Sequence, residues 1–319
     1  MADAANTLPR ATAVRCSSSP VLALTLASLF WSGNFIAGRA LRSQVDPLTL
    51  NLFRWAIALA VMGPFVWRDV VASVPVLRRE WQLILALGAT GIAVFHTLVY
   101  FALQRTSVTN ALLILALAPA ATLAGSAALG TEKISRLQLF GALLSLFGAA
   151  VLITRGQVPT SMGAFNTGDL LMVVAVAAWT AYSLLLRRRP ADLSQAVTLS
   201  VSILVAIMLL APLVFLFTPT ALSTLASRSV LLGITYVALF ASALGFLFWS
   251  NGVSQLGPAR ASQFVQLMPL FGAALSYCIL GETLTLAQIG GAILVMSGIV
   301  IVEHRFRRVS LSSNEGVIA

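Results

Sequence analysis

Charged side chains are scarce in this chain, and their scarcity decides its class. Asp, Glu, Lys and Arg together make up 9% of the 319 residues, whereas 59% of the residues are hydrophobic. A soluble domain has about 25% charged residues, so this composition leaves too few of them to cover a water-facing surface. The sequence therefore predicts an integral membrane protein.

The chain is also poor in the residues that build disulfides, metal sites and nucleotide sites. Its two cysteines, Cys16 and Cys278, lie in a polar N-terminal stretch and in an apolar run, so a disulfide framework is not expected. The sequence contains neither Cys and His residues at metal-ligand spacing nor a glycine-rich phosphate loop. We therefore expect no metal, no cofactor and no ATP-driven step.

Carboxylates are missing from the middle of the apolar runs. A proton-coupled transporter usually has a titratable group near the membrane midplane, and His96 is the candidate here. A hydrogen-bonded core histidine is the alternative, so the sequence leaves proton-coupled and uncoupled transport open. An intramembrane protease is not expected, because no pair of aspartates lies at membrane depth and Ser126 and His96 lack a supporting spacing.

Basic residues outnumber acidic ones by 20 to 10 but do not form one basic face. They are spread between apolar runs, which argues against a nucleic-acid partner. In membrane proteins, Lys and Arg concentrate in cytoplasmic loops. Most of them fall here on the side that places both termini in the cytoplasm. The expected partners are the lipid bilayer and a small-molecule substrate, and the chain is expected to be a monomer or a homodimer.

Ten apolar runs are long enough to cross the membrane as helices. About 20 residues are needed to span about 30 Å of hydrocarbon. The sequence thus predicts an all-α membrane protein with ten transmembrane helices, flanked by a disordered cytoplasmic tail (1–20) and a second cytoplasmic tail (303–319). The predicted spans are 21–41, 47–67, 82–103, 107–129, 136–153, 169–187, 194–217, 229–250, 258–280 and 286–302.

A long stretch of the sequence occurs twice. Residues 108–148 and 258–298 align without a gap at an offset of 150 residues. The offset of 150 residues spans five runs, and because five is odd the copies cross the membrane in opposite directions. The sequence predicts two five-helix units of inverted topology, 21–153 and 169–302, a common plan of secondary transporters. The pairs of identical residues include Pro119 with Pro269, Glu132 with Glu282, Gln138 with Gln288, Gly141 with Gly291 and Gly148 with Gly298.

The repeated stretch contains four kinds of paired feature. Pro119 and Pro269 each remove a backbone hydrogen bond at membrane depth, and we interpret them as gating hinges, with a static kink as the alternative. The sequences Ser135-x-x-Gln138 and Thr285-x-x-Gln288 predict capping boxes at helix starts. Glu132 and Glu282 precede these caps and are interpreted as helix-end carboxylates rather than gating contacts. The paired glycines predict close helix packing, either within the chain or in a dimer seam.

Neutral polar and aromatic residues at membrane depth form the candidate binding site. Such residues are rare in membrane helices and usually face a cavity or another helix. Aromatic side chains are predicted to stack on an apolar part of the substrate, and amide and imidazole groups to bind an amino or carboxylate group. Arg54 is the one charge inside a predicted helix, and it either snorkels to the surface or attracts a carboxylate. The candidate binding residues are Trp31, Asn34, His96, Tyr100, Trp179, Tyr182, Tyr236, Gln263 and Gln266.

The chain resembles the EamA-type branch of the drug/metabolite transporter superfamily. The resemblance rests on Trp31-Ser-Gly-Asn34-Phe, Asp46-Pro47, Arg54-Trp55, and the mirrored Pro119…Glu132 and Pro269…Gly281-Glu282. It implies a ring of helices around a central cavity and export by alternating access in the bacterial inner membrane. Within the family the chain looks closest to YddG-type exporters of aromatic amino acids. The resemblance therefore implies amino-acid export, with a multidrug or lipid-linked metabolite exporter of the same fold as the alternative.

Overall fold

The structure is a computed structural model that describes residues 19–41, 43–106, 108–131, 135–157, 166–218, 227–280 and 284–315. Within these ranges the regular elements are all helices, as the sequence predicts. Glu132 and Glu282, which were interpreted as helix-end carboxylates, lie outside the described residues, as do residues 1–18 of the N-terminal tail.

The helices follow one another with short connections. The N-terminal half contains α1 (Pro20–Leu41), α2 (Pro47–Ala72), α3 (Val74–Arg79), α4 (Trp81–Leu87), α5 (Phe95–Ala102), α6 (Val108–Leu115), α7 (Ala118–Ala128) and α8 (Arg136–Thr154). The C-terminal half contains α9 (Thr167–Leu186), α10 (Gln195–Phe217), α11 (Arg228–Tyr236), α12 (Gly245–Leu256), α13 (Pro258–Ser262), α14 (Leu267–Leu280) and α15 (Leu286–Glu315). Two π-helical segments join α4 to α5 (Gly88–Val94) and α11 to α12 (Val237–Leu244), and a 3-10 helix (Gln263–Gln266) joins α13 to α14.

Most helix ends lie close to the predicted ones, and three differ more clearly: the helix predicted over 229–250 ends at Leu256, and α2 and α15 are also longer than predicted. Helix α2 continues to Ala72, beyond its predicted end at 67, and α15 continues to Glu315, through part of the predicted tail. The length of an apolar run is set by the thickness of the hydrocarbon, and the helix itself can be longer. Both helices therefore continue into polar sequence where the apolar run ends.

Eight helices of the described chain are long and apolar enough to cross a membrane, judged by length and composition. The apolar part of α15, Leu286–Val302, is shorter, and residues 258–280 are divided among α13, the 3-10 helix and α14. Many large apolar side chains lie on the outside of the bundle. Phe65, for example, is 84% exposed. Such side chains suit contact with lipid rather than with water.

Two of the predicted spans are interrupted helices, and each interruption precedes a proline. Pro119 lies at the start of α7 and Pro269 near the start of α14. Proline lacks the N–H that would continue the hydrogen-bond ladder of the preceding helix. Gln266 Nε2 donates to the carbonyl oxygen of Ala116 at 3.0 Å, so one interrupted helix satisfies the freed backbone of the other. The mid-helix prolines therefore separate half-helices instead of only bending them.

The predicted capping boxes are confirmed at the starts of α8 and α15. The Ser135 hydroxyl accepts from the Gln138 N–H at 3.2 Å, and the Gln138 side chain accepts from the Ser135 N–H at 2.7 Å. Thr285 and Gln288 make the same two bonds, at 3.2 and 3.0 Å. Each box satisfies backbone donors that would otherwise have no partner at the start of a helix.

Glycines bring α8 and α15 into backbone contact. A Cβ atom on Gly148 would lie 2.8 Å from the carbonyl oxygen of Gly291, and one on Gly298 would lie 2.5 Å from that of Gly141. Only hydrogen fits at these positions. The paired glycines therefore pack within the chain, which decides between the two alternatives that the sequence leaves.

The start of α9 is held by a carboxylate with several partners. The Asn166 side chain accepts from the Asp169 N–H at 3.0 Å, and Asp169 accepts from the Asn166 N–H at 3.2 Å. The Thr106 hydroxyl also donates to Asp169, which ties α9 to the turn after α5. Asp169 is buried, so the loss of its carboxylate leaves buried donors without an acceptor.

We expect Asp169→Ala to lower the free energy of unfolding by about 1–3 kcal/mol, the cost of a lost cap and an unsatisfied buried donor. The measurement is the apparent Tm of the detergent-purified protein. Asp192→Ala is the matched control, because the Asp192 side chain is 55% exposed and lies 3.8 Å from Arg79. An exposed ion pair contributes about 0–1 kcal/mol. Equal Tm changes in the two variants would contradict the prediction.

Candidate functional site

A cluster of buried rings lies at the centre of the bundle, where the two halves of the chain meet. Helices α1, α2 and α5 contribute to it from the N-terminal half, and α9 and α12 from the C-terminal half. We call this set the aromatic cluster. Its members are Trp31, Trp55, Phe95, His96, Trp179, Tyr182, Phe246 and Trp249.

The rings of the aromatic cluster meet in specific geometries. Phe246 and Trp55 pack edge to face, with ring centroids 4.9 Å apart and planes at 90°. Trp31 and Trp179 do the same at 5.3 Å and 88°. Edge-to-face contacts place the positive ring edge on the negative ring face, and each contributes about 0.5–1.5 kcal/mol beyond its burial. Many such contacts hold the cluster in one arrangement.

A small cavity opens between these rings and the interrupted helices. The volume open to the centre of a water molecule is about 30 Å³, enough for about two waters. A phenylalanine molecule cannot enter a space of this size, and we call this narrow arrangement of the site the closed state. The lining residues are Trp31, Asn34, Phe35, Phe95, His96, Val99, Leu115, Trp179, Phe246, Val265 and Met268.

The cavity wall contains two polar side chains that the sequence singled out, Asn34 and His96. Asn34 Oδ1 accepts a hydrogen bond from the Tyr100 hydroxyl at 3.3 Å. The His96 ring packs against Phe95 at 4.8 Å and against Phe246 at 5.6 Å between centroids. None of the described side chains that line the cavity is a carboxylate. Its wall is thus aromatic and aliphatic with a few neutral polar groups.

Arg54 lies behind this wall and is completely buried. Its Nη1 donates to the Tyr100 hydroxyl at 2.6 Å, and its Nε donates to the Ser242 hydroxyl at 2.7 Å. The guanidinium also lies 5.1 Å from the centre of the Trp55 ring. These contacts exclude snorkelling, since the side chain points into the protein and not toward the surface.

Comparison with known proteins identifies the kind of protein to which this site belongs. The model of the EamA-like transporter family matches residues 18–154 and 166–303. The chain belongs to this family. It is therefore an EamA transporter of the drug/metabolite transporter superfamily, not an enzyme, and a multi-pass protein of the inner membrane, as the sequence predicts.

Similar proteins agree with this identification. The uncharacterized transporter YyaM of Bacillus subtilis is 26% identical over 85% of this chain and 89% of its own length. A probable terminal-alkyne amino-acid exporter of Streptantibioticus cattleyicolor is 26% identical over 90% of this chain and 94% of its own. A solved crystal structure matches with a TM-score of 0.74 at 22% identity, covering 89% of this chain and 96% of the other, which shows a shared fold.

The EamA transporter places the predicted binding residues in different surroundings. Trp31, Asn34, His96 and Trp179 line the cavity. Tyr182 stands behind Trp179, with ring centroids 5.5 Å apart. These five residues form one continuous group. The sequence analysis selected them because polar and aromatic residues at membrane depth are rare.

The remaining predicted residues make other contacts. Tyr100 bonds to Arg54 and Asn34 rather than lining the cavity. Gln263 Oε1 accepts from Ser145 of α8 at 3.4 Å, and Gln266 bonds to the backbone of α6–α7. Tyr236 is half-buried and stacks on Phe240 at 5.3 Å.

Sequence reasoning missed seven residues of the EamA transporter's cavity wall, and two of these, Phe95 and Phe246, also belong to the aromatic cluster. Phenylalanine is common in membrane helices, so neither residue stood out as polar residues do. The repeat could have identified Phe246, because the offset of 150 residues pairs it with the candidate residue His96. Their rings are in contact in the structure, 5.6 Å apart.

Each π-helical segment ends directly before cavity residues. The segment Gly88–Val94 precedes Phe95 and His96, and the segment Val237–Leu244 is followed by Gly245 and Phe246. π-helices are rare and occur mostly at functional sites, because the inserted residue changes the direction of the side chains that follow. Here they turn rings of α5 and α12 toward the cavity.

Proposed function

We propose that this EamA transporter exports amino acids by alternating access, with aromatic amino acids preferred. The observation that carries the proposal is the cavity between the two halves of the chain, with its aromatic walls and the polar groups of Asn34 and His96. Rings suit a flat apolar side chain, and neutral polar groups suit an amino or carboxylate group. The similarity to a protein described as a probable terminal-alkyne amino-acid exporter supports the same class of substrate.

The proposed architecture is ten transmembrane helices in two inverted five-helix repeats, 21–153 and 169–302, with both termini in the cytoplasm. The two segments that match the family model support this division. So do the paired features of the halves, since each half has a π-helical segment and an interrupted helix with a proline. Inverted repeats generate inward-open and outward-open states of similar energy, because each half can adopt the conformation of the other.

Pro119 and Pro269 are the proposed hinges. The closed cavity has to widen before an amino acid can enter. Leu115 and Val265, which line the cavity, lie just before the two prolines. A half-helix that is not held by a continuous hydrogen-bond ladder can tilt at lower cost than a complete helix. Movement at either break would open the cavity toward one side of the membrane.

The test is flux in proteoliposomes with labelled phenylalanine, tryptophan, threonine and a quaternary ammonium ion. We expect saturable flux of phenylalanine and tryptophan, slower flux of threonine and none of the cation. Liposomes without protein are the control. Flux of the cation alone would instead favour a multidrug exporter, and no flux of any solute through the folded protein would overturn the proposal.

The same vesicles test energy coupling. We expect flux to be independent of a pH gradient, because the described cavity wall contains no carboxylate and an uncoupled facilitator needs none. Gradient-dependent flux that disappears in His96→Gln would contradict this expectation and establish His96 as a proton relay. Phenylalanine binding to the variant is the control for an intact site.

A further inference from the structure

The described part of the EamA transporter contains a buried positive charge without a negative partner. Arg54 is 0% exposed, and the ion pairs among the described residues join Arg79 to Glu80 and to Asp192. The partners of Arg54 are two hydroxyl groups and the faces of two rings. A buried charge without a counter-charge costs several kcal/mol, so such groups inside a membrane protein generally bind an ion or a substrate.

The guanidinium also retains an unused donor. Nη1 and Nε are hydrogen-bonded, whereas the buried Nη2 has no partner in the described chain. Nη1 and Nη2 together form the edge of arginine that matches the two oxygens of a carboxylate. In the closed state the Tyr100 hydroxyl occupies one of these two positions.

A chain of hydrogen bonds connects Arg54 to the cavity. Arg54 donates to Tyr100 at 2.6 Å, and Tyr100 donates to Asn34 at 3.3 Å. Asn34 lines the cavity. The charge therefore lies one side chain behind the cavity wall, and rotation of the Tyr100 ring would bring a bound anion to it.

We propose that Arg54 recognises the carboxylate of the exported solute, so that the transporter selects solutes with a carboxylate over amines that lack one. This rests on the proposed export of amino acids. When the cavity widens, the Tyr100 hydroxyl gives way and the carboxylate accepts from Nη1 and Nη2. The buried charge gains its counter-charge only with a substrate in place, which couples recognition to the conformational change.

The two hydroxyl partners of Arg54 have hydrogen-bond acceptors of their own. The Tyr100 hydroxyl donates to Asn34, and the Ser242 hydroxyl donates to the carbonyl oxygen of Val237 at 2.9 Å. Both donors keep their acceptors when Arg54 is removed. An apolar side chain of similar length in place of a buried charge is often neutral or stabilising. A purely structural arginine would instead be needed for stability.

The first experiment uses the wild-type protein and three ligands with one phenyl group each. Phenylalanine has the amine and the carboxylate, 3-phenylpropionate has the carboxylate alone, and 2-phenylethylamine has the amine alone. Binding is followed by the fluorescence of the buried tryptophans. We expect 3-phenylpropionate to bind about 10- to 100-fold more tightly than 2-phenylethylamine, the range of a charge-assisted hydrogen bond. Equal binding of the two would overturn the proposal.

The second experiment compares Arg54→Met, Arg54→Lys and Ser242→Ala. We expect Arg54→Met to keep its apparent Tm, to bind phenylalanine about 10- to 100-fold more weakly and to bind 2-phenylethylamine as the wild type does. Arg54→Lys should recover part of the loss, because it restores the charge without the two-donor edge. Ser242→Ala, which keeps Arg54, should bind phenylalanine within about threefold of wild type. Phenylalanine binding by Arg54→Met at wild-type strength would overturn the proposal.

The two proposals fail in different ways. If the wild type transports none of the amino acids, the export proposal fails, and the role of Arg54 fails with it. If the wild type transports phenylalanine but binds 2-phenylethylamine as tightly as 3-phenylpropionate, export stands and carboxylate recognition by Arg54 is wrong. The comparison of ligands on the wild type decides this even if Arg54→Met does not fold.

Discussion

A Gly148→Leu variant is expected to lose the packed arrangement of α8 and α15. A Cβ atom at this position would lie 2.7 Å from Leu294 Cβ and 2.7 Å from the Val295 nitrogen, and the Gly291 carbonyl oxygen is 2.8 Å away. Two of these atoms belong to the backbone and cannot rotate out of the way. The helices would have to separate, and we expect a loss of about 3 kcal/mol or more. The apparent Tm of the detergent-purified protein measures it.

The neighbouring helix offers a matched control. Gly290 precedes Gly291 on α15, yet a Cβ atom there would meet nothing within 4 Å. Gly290→Leu makes the same chemical change on the other side of the helix, where it is expected to leave the apparent Tm close to that of the wild type. If both variants melt at the same temperature, the close contact of α8 and α15 does not contribute to stability and the prediction is wrong.

Phe246→Ala is expected to lower the stability of the EamA transporter and to raise its KM for phenylalanine, the proposed substrate. Phe246 is 1% exposed, and its ring contacts several members of the aromatic cluster, among them Trp55 at 4.9 Å and Tyr182 at 5.7 Å. Removing a buried phenylalanine ring costs about 3–5 kcal/mol, because the surrounding rings lose their contacts and a void remains. The void adjoins the cavity, so we expect the KM for phenylalanine to rise about tenfold.

The lipid surroundings determine which interactions cause this loss of stability. The driving force for burying a ring is small when the alternative surroundings are hydrocarbon, so the cost comes from lost packing contacts. Phe65→Ala is the control, since the Phe65 side chain is 84% exposed on the outside of the bundle. It should change neither the apparent Tm nor the KM. A Phe246→Ala variant that behaves like Phe65→Ala would show that the cluster does not shape the site.

The sequence predicts the class and the helices of this protein well, because both follow from local physics. Apolar length fixes which segments can lie in a membrane, and capping residues such as Ser135 and Thr285 mark where helices begin. The repeat predicted the paired prolines. It did not predict that each of the two spans that contain them would be divided into shorter helices. The division at residues 263–266 depends on how α13 and α14 pack against other helices. Local sequence patterns do not predict such packing.

The candidate site could be predicted only in part. Trp31, Asn34, His96 and Trp179 line the cavity, and they were found because polar and aromatic groups are unusual at membrane depth. Gln266 has the same appearance in the sequence but bonds to Ala116 on an interrupted helix. In the sequence, a polar residue that binds a substrate cannot be distinguished from one that hydrogen-bonds to the backbone of an interrupted helix. The positions of the neighbouring helices are needed to separate the two.

The closed aromatic cluster has a consequence for the cell's energy supply. A transporter in the inner membrane is exposed to the membrane potential, about 2.3 kcal/mol per elementary charge at 100 mV. The cavity has room for about two waters, and the described residues that wall it are mainly rings and aliphatic side chains, which disfavour a continuous file of water. The positive charge of Arg54 behind the wall opposes the passage of inorganic cations and protons. We therefore expect the transporter in its closed state to conduct protons and inorganic cations poorly, so that its presence leaves the proton gradient intact.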